Sequence, residues 1–481
     1  MDPAQSWFSR LVAEIGISAI TGSCRDTKLL CAQRMVRLFA YGASFLILVQ
    51  FLSSLDIPDD RIGLFMTLTL LGDVAISFVL TAITDAVGRR KILAIGSFLM
   101  IVSGVVFFIA DNYWILLFVS VLGVISPSGN EIGPFRAVEE SVLAQLTRKE
   151  HRSDIFAWYT LLGNAGAALG TLTSGWLVQV LTRTKSWENI RAYRAVFLLY
   201  AVLGLVKLTL TLALSPEVEA SRWASVKGGD DDQEAERGLL ADGAAQQDGT
   251  QDMGTLTQPE TPTKRGSAVG KQIRSLLPEI SPESRSILWR LLLLFSVDSF
   301  ASGMAAPSWL TYFFTKVHSL QPSTLGTLFL VTNILATVSN LAALPLARKI
   351  GPLKTMVFTH LPSSLCLAAI PLPPASAGGT WAAMGLLALR ATTNSMDQAP
   401  RQAFLSAAVL PAERTAVLGV VNIVKTLAQA GGIGSTGILA KASLWIAVLG
   451  GAGLLKGLYD LMMLWMFLHL KDRDEEEVVS T

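Results

Sequence analysis

The chain has 481 residues, 51% of them hydrophobic and 16% charged, with a formal net charge of +2. A soluble domain carries about 25% charged residues, so charge this sparse, with a mean hydropathy of +0.48, points to lipid as the solvent. The near-neutral balance excludes a strongly basic nucleic-acid binder, and three scattered cysteines and four histidines exclude a disulfide or zinc framework.

Residues 1–35 read as a cytoplasmic N-terminal segment without signal-peptide features. Within it, Trp7 to Ile20 allows either a short interfacial helix or no order. A helix needs about 20 apolar residues to cross a hydrocarbon core. Six such runs fill 36–214: Val36–Leu55, Ile62–Ile83, Ile92–Ala110, Tyr113–Ser141, Ile155–Leu181 and Ala195–Leu214. Residues 215–285 are acidic and rich in Gly, Gln and Thr, and cannot bury a core. They read as a disordered cytoplasmic linker. Six more runs fill 286–470: Ile287–Phe314, Ser323–Leu346, Met356–Leu372, Trp381–Val409, Ala416–Leu439 and Leu444–Leu468. An acidic cytoplasmic tail, 471–481, follows. Lys and Arg concentrate on the side of both termini, as in Arg89-Arg90-Lys91, Arg148-Lys149 and Arg348-Lys349, which places that side in the cytoplasm. The loop near Arg183–Arg194 breaks the rule.

The two halves repeat at roughly 263 residues. Gly170 in GTLTSGWL pairs with Gly432 in GIGSTGIL, and Gly88 in DAVGRRK with Gly351 in ARKIGPLK. Glu131 precedes Pro134 as Asp397 precedes Pro400. The expected fold is therefore an all-α membrane protein of twelve transmembrane helices in two pseudo-symmetric six-helix bundles, with a solute site between them.

Between spans 2 and 3 stands Thr81-Ala82-Ile83-Thr84-Asp85-Ala86-Val87-Gly88-Arg89-Arg90-Lys91. This resembles the signature of the major facilitator superfamily. Asp85, Gly88, Arg89, Arg90 and Lys91 fit it; Thr81 replaces a Gly and Ala86 a basic residue. The resemblance implies a conformational latch built on Asp85, Gly88, Arg89 and Arg90, with Glu139 or Glu140 of span 4 as acidic partner. The chemistry supports it: Gly88 permits a tight turn, and Asp85 with Arg89 can form a charge-assisted pair. The basic residues can equally serve as cytoplasmic anchors.

Charges within spans are costly and mark cavities or partners. Span 4 is interrupted by Pro127, Pro134, Gly129 and Gly133, so Glu131 beside the bend is a candidate for proton coupling or cation binding. Glu131 can alternatively pair with Arg136 as a structural tie. Span 10 carries Arg390, Asn394, Asp397 and Arg401 on one face, within which Asp397 can pair. Asp298 sits about 16 Å into span 7. The family resemblance implies that spans 1, 4, 7 and 10 line the cavity, which makes Glu131, Arg136, Asp298, Arg390, Asn394 and Asp397 the candidate substrate- or proton-binding set. Asp73 and Lys425 rank behind them. Trp309, Tyr312 and Phe313 fit an interfacial aromatic belt better than a solute platform.

Span 5 carries Gly163, Gly166, Gly170 and Gly175, similar to the family's antiporter motif but without its Pro. The chain resembles the drug:proton antiporter branch more than sugar or nitrate porters, and its Ser126–Ser141 segment resembles fungal and bacterial chains of the superfamily. The expected function is proton-coupled export of a small organic molecule by a monomer, in the plasma membrane rather than an internal one. An importer, or a receptor that moves nothing, are the alternatives. No metal, nucleophile–base or phosphate-loop spacing occurs, so no enzyme and no cofactor are expected.

Overall fold

The structure, a computed structural model, describes residues 17–123, 125, 135–148, 151–219, 282–398, 400–401, 404 and 414–467. After a short helix, Ile17–Gly22, the first half runs through span 1 (Arg25–Ser54), span 2 (Asp59–Val87) and span 3 (Arg89–Ile109). Span 4 comes as Tyr113–Gly123 and Phe135–Leu146, followed by span 5 (Arg152–Thr184) and span 6 (Asn189–Leu212). Glu131 lies outside the described residues, as do residues 220–281 and 468–481. The second half holds span 7 (Pro282–Met304 and Pro307–His318), span 8 (Pro322–Ile350), span 9 (Pro352–Ala369), span 10 (Ala377–Asn394 and a further turn to Arg401), span 11 (Arg414–Lys441) and span 12 (a π turn Ile446–Gly450, then Gly451–Phe467). Among the described residues, seven helices are long and apolar enough to cross a membrane by composition alone. Span 5, unbroken over 33 residues, carries polar groups that the bundle, not lipid, must accommodate.

Local sequence explains the breaks. Pro307 has no N–H to give the preceding turn, so span 7 ends at Met304 and a second helix starts with Pro307 in its first turn. The hairpins joining spans 2 to 3 and 8 to 9 turn at Gly88 and Gly351, with φ of +102° and +82°, a region that only glycine enters without strain. The glycines paired in the sequence repeat thus do the same work in each half.

Span 1 starts at Arg25, well before the rise in hydropathy at Val36, and is the most enclosed of the seven, 83% buried over its apolar window. Its early turns carry Gln33, Arg34 and Arg37, all buried. Gln33 and Arg34 fall before the span start expected at Val36, on the water side; here protein surrounds them. Small residues allow the close crossings. A methyl group at Gly166 or Gly170 of span 5 would overlap the Met35 or Phe39 carbonyl of span 1, and one at Gly432 of span 11 the Phe300 carbonyl of span 7.

The halves meet at the end away from Arg89, Arg90 and Lys91. There Lys316 donates to Asp59 at 2.7 Å, Tyr312 to the other Asp59 oxygen at 2.8 Å, and Lys441 to Asp60 at 3.1 Å. Gln50 reaches Thr315 at 3.4 Å, and Ser323 donates its backbone N–H to Gln179 at 3.2 Å. Deeper in, Thr67 donates to the Ala430 carbonyl at 2.9 Å. Gly63 and Gly437 bring spans 2 and 11 into backbone contact. These inter-half hydrogen bonds lie towards the far end.

The aromatic belt expected on span 7 is corrected. Trp309, Tyr312 and Phe313 are buried; Trp309 meets Tyr312, and Tyr312 and Phe313 meet Trp445 just before span 12, edge-on or tilted at centroid distances of 5.3–6.1 Å. After the break at Pro307 the helix turns these rings into the protein rather than towards lipid.

Candidate functional site

Each half encloses a charged cluster. In the first half, Glu139 of span 4 is fully buried and accepts from Arg37 of span 1 at 2.8 Å and Tyr159 of span 5 at 2.6 Å. Its second oxygen lies 3.8 Å from Lys207 of span 6. Glu140 takes Arg136 at 2.7 Å, one turn away on its own helix, and Arg34 at 3.6 Å. The Arg34 guanidinium lies 4.0 Å above the Tyr159 ring, and Lys207 4.6 Å from the Phe135 ring centre. Ring faces are electronegative, so they complement cations that have lost their water.

In the second half, both oxygens of Asp298 on span 7 are held, one by Lys456 of span 12 at 2.8 Å and the other by Arg401 of span 10 at 3.0 Å. Lys456 also donates to Ser302 at 2.7 Å. Arg401 bridges on to Asp397, four residues back on its own helix. Beside them His360 of span 9 meets both oxygens of Asp460 on span 12 at 2.9 Å. The polarity is inverted between the halves: span 1 supplies cations where span 7 supplies the carboxylate.

Of the candidate residues, Asp298 and Asp397 come together, joined by Arg401. Asn394 does not join them. The helix ends there, a turn over Ser395–Asp397 intervenes, and the Asn394 side-chain oxygen accepts from Ser363 of span 9 at 3.3 Å. The single stripe expected for Arg390, Asn394, Asp397 and Arg401 is therefore split, with Arg390 half-buried towards Cys366. Arg136 pairs with Glu140. Lys425 lies 5.5 Å from the Phe295 ring centre, and Asp73 is buried.

The latch residues take other partners than expected. Glu139 does not reach the basic loop; it is buried among Arg37, Tyr159 and Lys207. Gln145, nearly two turns further along span 4, accepts from Arg89 at 2.7 Å. The Arg90 guanidinium donates to the Leu212 carbonyl. The backbone N–H groups of Arg89 and Arg90 are capped by the Glu219 carboxylate at 2.7 and 3.3 Å. Asp85 lies in the last turns of span 2, and its side chain is outside the described set. Glu219 belongs to a stretch read as linker, yet Ser215 caps a short 3-10 turn at Pro216–Val218 and Val218 is buried, which pins Glu219 in place. Replacing Glu219 by Ala leaves the first amides of span 3 without their anion and destabilises that helix end by about 1 kcal/mol. Faster hydrogen exchange at Arg89 and Arg90 is the expected readout, and unchanged exchange refutes the cap.

Sequence reading missed Arg34, Arg37, Lys207, Lys456, Asp460 and His360. A signal existed for several: Arg34 and Arg37 are three residues apart, and Lys456 and Asp460 four, spacings that share a helix face.

Known proteins share this architecture. The chain is 34% identical over 449 residues to the uncharacterized membrane protein YJR124C of Saccharomyces cerevisiae, covering 92% of this chain and 94% of that protein. A solved bacterial homologue of the human drug peptide transporters PepT1 and PepT2 superposes with a TM-score of 0.65 at 13% identity, covering 93% of this chain and 98% of that one. A D-xylose–proton symporter superposes at 0.64 with 15% identity, covering 91% and 96%. Residues 30–433 match the model of the Major Facilitator Superfamily, and the chain belongs to that family: a multi-pass membrane secondary transporter of the alternating-access type, not an enzyme.

Proposed function

We propose that the protein is a proton-coupled transporter of a small organic solute, and that the Asp298–Lys456–Arg401–Asp397 cluster couples solute movement to protons. The observation that carries this reading is Asp298, a buried carboxylate six residues before the end of the first piece of span 7, gripped from spans 10 and 12 at once. Broken spans line transporter sites, and a carboxylate held by two cations changes its partners when a proton or a charged solute arrives. Glu131, which the sequence repeat pairs with Asp397, remains a proposed member of the site.

With the basic loops in the cytoplasm, the far-end ties close the external side. A D-xylose–proton symporter of the same fold supports proton coupling. Export draws no support from span 5, whose Gly163, Gly166 and Gly170 serve packing against span 1 and whose Gly175 packs against Pro322 and Gly326 of span 8. The sign of solute movement in energised vesicles with an imposed pH gradient decides the direction. Asp298→Asn is expected to lower flux by at least about tenfold, equivalent to about 1.4 kcal/mol of barrier, and to flatten its pH dependence. Unaltered flux and pH profile refute the assignment.

A further inference from the structure

The His360–Asp460 pair lies outside the candidate set, on spans 9 and 12, with side chains 2% and 0% exposed. Its surroundings are crowded with charge. Span 12 presents Lys456 and Tyr459, span 10 Asp397 and Arg401, and span 7 Asp298. On span 9 itself Cys366 faces Arg390, Lys425 of span 11 approaches Phe295 of span 7, and Lys349 of span 8 is exposed.

The partners are unequally shared. Asp298 has two cations, Lys456 and Arg401. Among the described residues, the cationic partner of Asp460 is His360, and that partner is cationic only when protonated. Lys456 stands four residues before Asp460 on the same helix face, where side chains are neighbours. It now donates to Asp298 and Ser302.

We propose that His360 is a proton-binding switch that decides which carboxylate Lys456 holds: Asp298 when the imidazole is charged, Asp460 when it is neutral. A proton taken from water charges the imidazole, which then satisfies Asp460 and leaves Lys456 on Asp298. When that proton returns to water, Asp460 is a buried anion without a cation, a costly state. Lys456 relieves it by exchanging partners, and Asp298 is not stranded because Arg401 remains. Loss of the proton thereby frees one oxygen of Asp298 for a cationic group of a solute. The inference deepens the proton-coupled reading and, for its role in transport, rests on it.

Structures of the full-length protein in lipid nanodiscs at about pH 5 and about pH 9, either side of the ordinary imidazole pKa of about 6.5, test the switch. The expected result is Lys456 on Asp298 at the lower pH and on Asp460 at the higher. His360→Gln should show the high-pH arrangement at both, and Asp460→Asn should keep Lys456 on Asp298 at both. The wild-type pair needs no variant to fold. Lys456 fixed on Asp298 at both pH values in the wild type overturns the proposal, as does movement that persists in Asp460→Asn. If Lys456 exchanges partners while solute flux ignores pH, the switch stands and proton coupling falls.

Discussion

Glu139→Ala is expected to lower the unfolding free energy by about 3–5 kcal/mol, because it removes the counter-charge from buried cations. Arg37 and Lys207 are both wholly enclosed, and Glu139 is a carboxylate that faces them both. Tyr159 loses its acceptor in the same step. The penalty comes from desolvated charge rather than from lost contact area. Replacing Arg37 by Met in the same chain should therefore recover part of the loss, although it removes a further native side chain. Thermal unfolding of the purified protein in detergent measures both. A loss below about 1 kcal/mol, the level of a solvated surface pair, means that water reaches the cluster and refutes its enclosure.

The second large effect is expected at the seam between the halves. Gly437 packs against the backbone of span 2, where an added methyl would lie 2.5 Å from the Asp59 carbonyl oxygen and 2.8 Å from the Gly63 Cα. Backbone cannot move aside as a flexible side chain can. Gly437→Val therefore penalises the far-end-closed arrangement by about 1–3 kcal/mol, shifting the balance towards far-end opening by roughly 5- to 150-fold. A cysteine introduced as Ser53→Cys, beside Tyr312 at this seam, reports the change through an impermeant maleimide applied from the far side. Labelling should rise sharply in Gly437→Val. Equal labelling in the two backgrounds refutes the idea that this contact sets the closed state.

The architecture was legible because its signals are local. The glycines of the two hairpins, Gly88 and Gly351, announced both the turns and the repeat, while the span 10 spacing offered Arg390, Asn394 and Arg401 alike to Asp397, of which Arg401 pairs with it. Partner choice was not legible, since Glu139 and Glu140 are adjacent in sequence yet turn to different cations. Hydropathy also misled at Arg34, which fell before the expected start of span 1 at Val36: it scores transfer to lipid, whereas this side chain transfers to a protein interior that carries carboxylates and aromatic faces. The span 7 aromatics failed for the same reason. Depth along a helix is readable from sequence, but the direction a ring faces after a break is not.

The placement of Arg37 bears on how the chain is made. Its carboxylate partner follows 102 residues later, so span 1 leaves the ribosome long before Glu139 exists. An arginine at the centre of a lone helix costs at least about 2.5–3.5 kcal/mol in a bilayer. The apolar remainder of span 1, with a mean hydropathy of 1.8 over its best window, outweighs that cost, so span 1 can insert alone with Arg37 drawn towards the interface, and the guanidinium loses its water only when span 4 packs beside it.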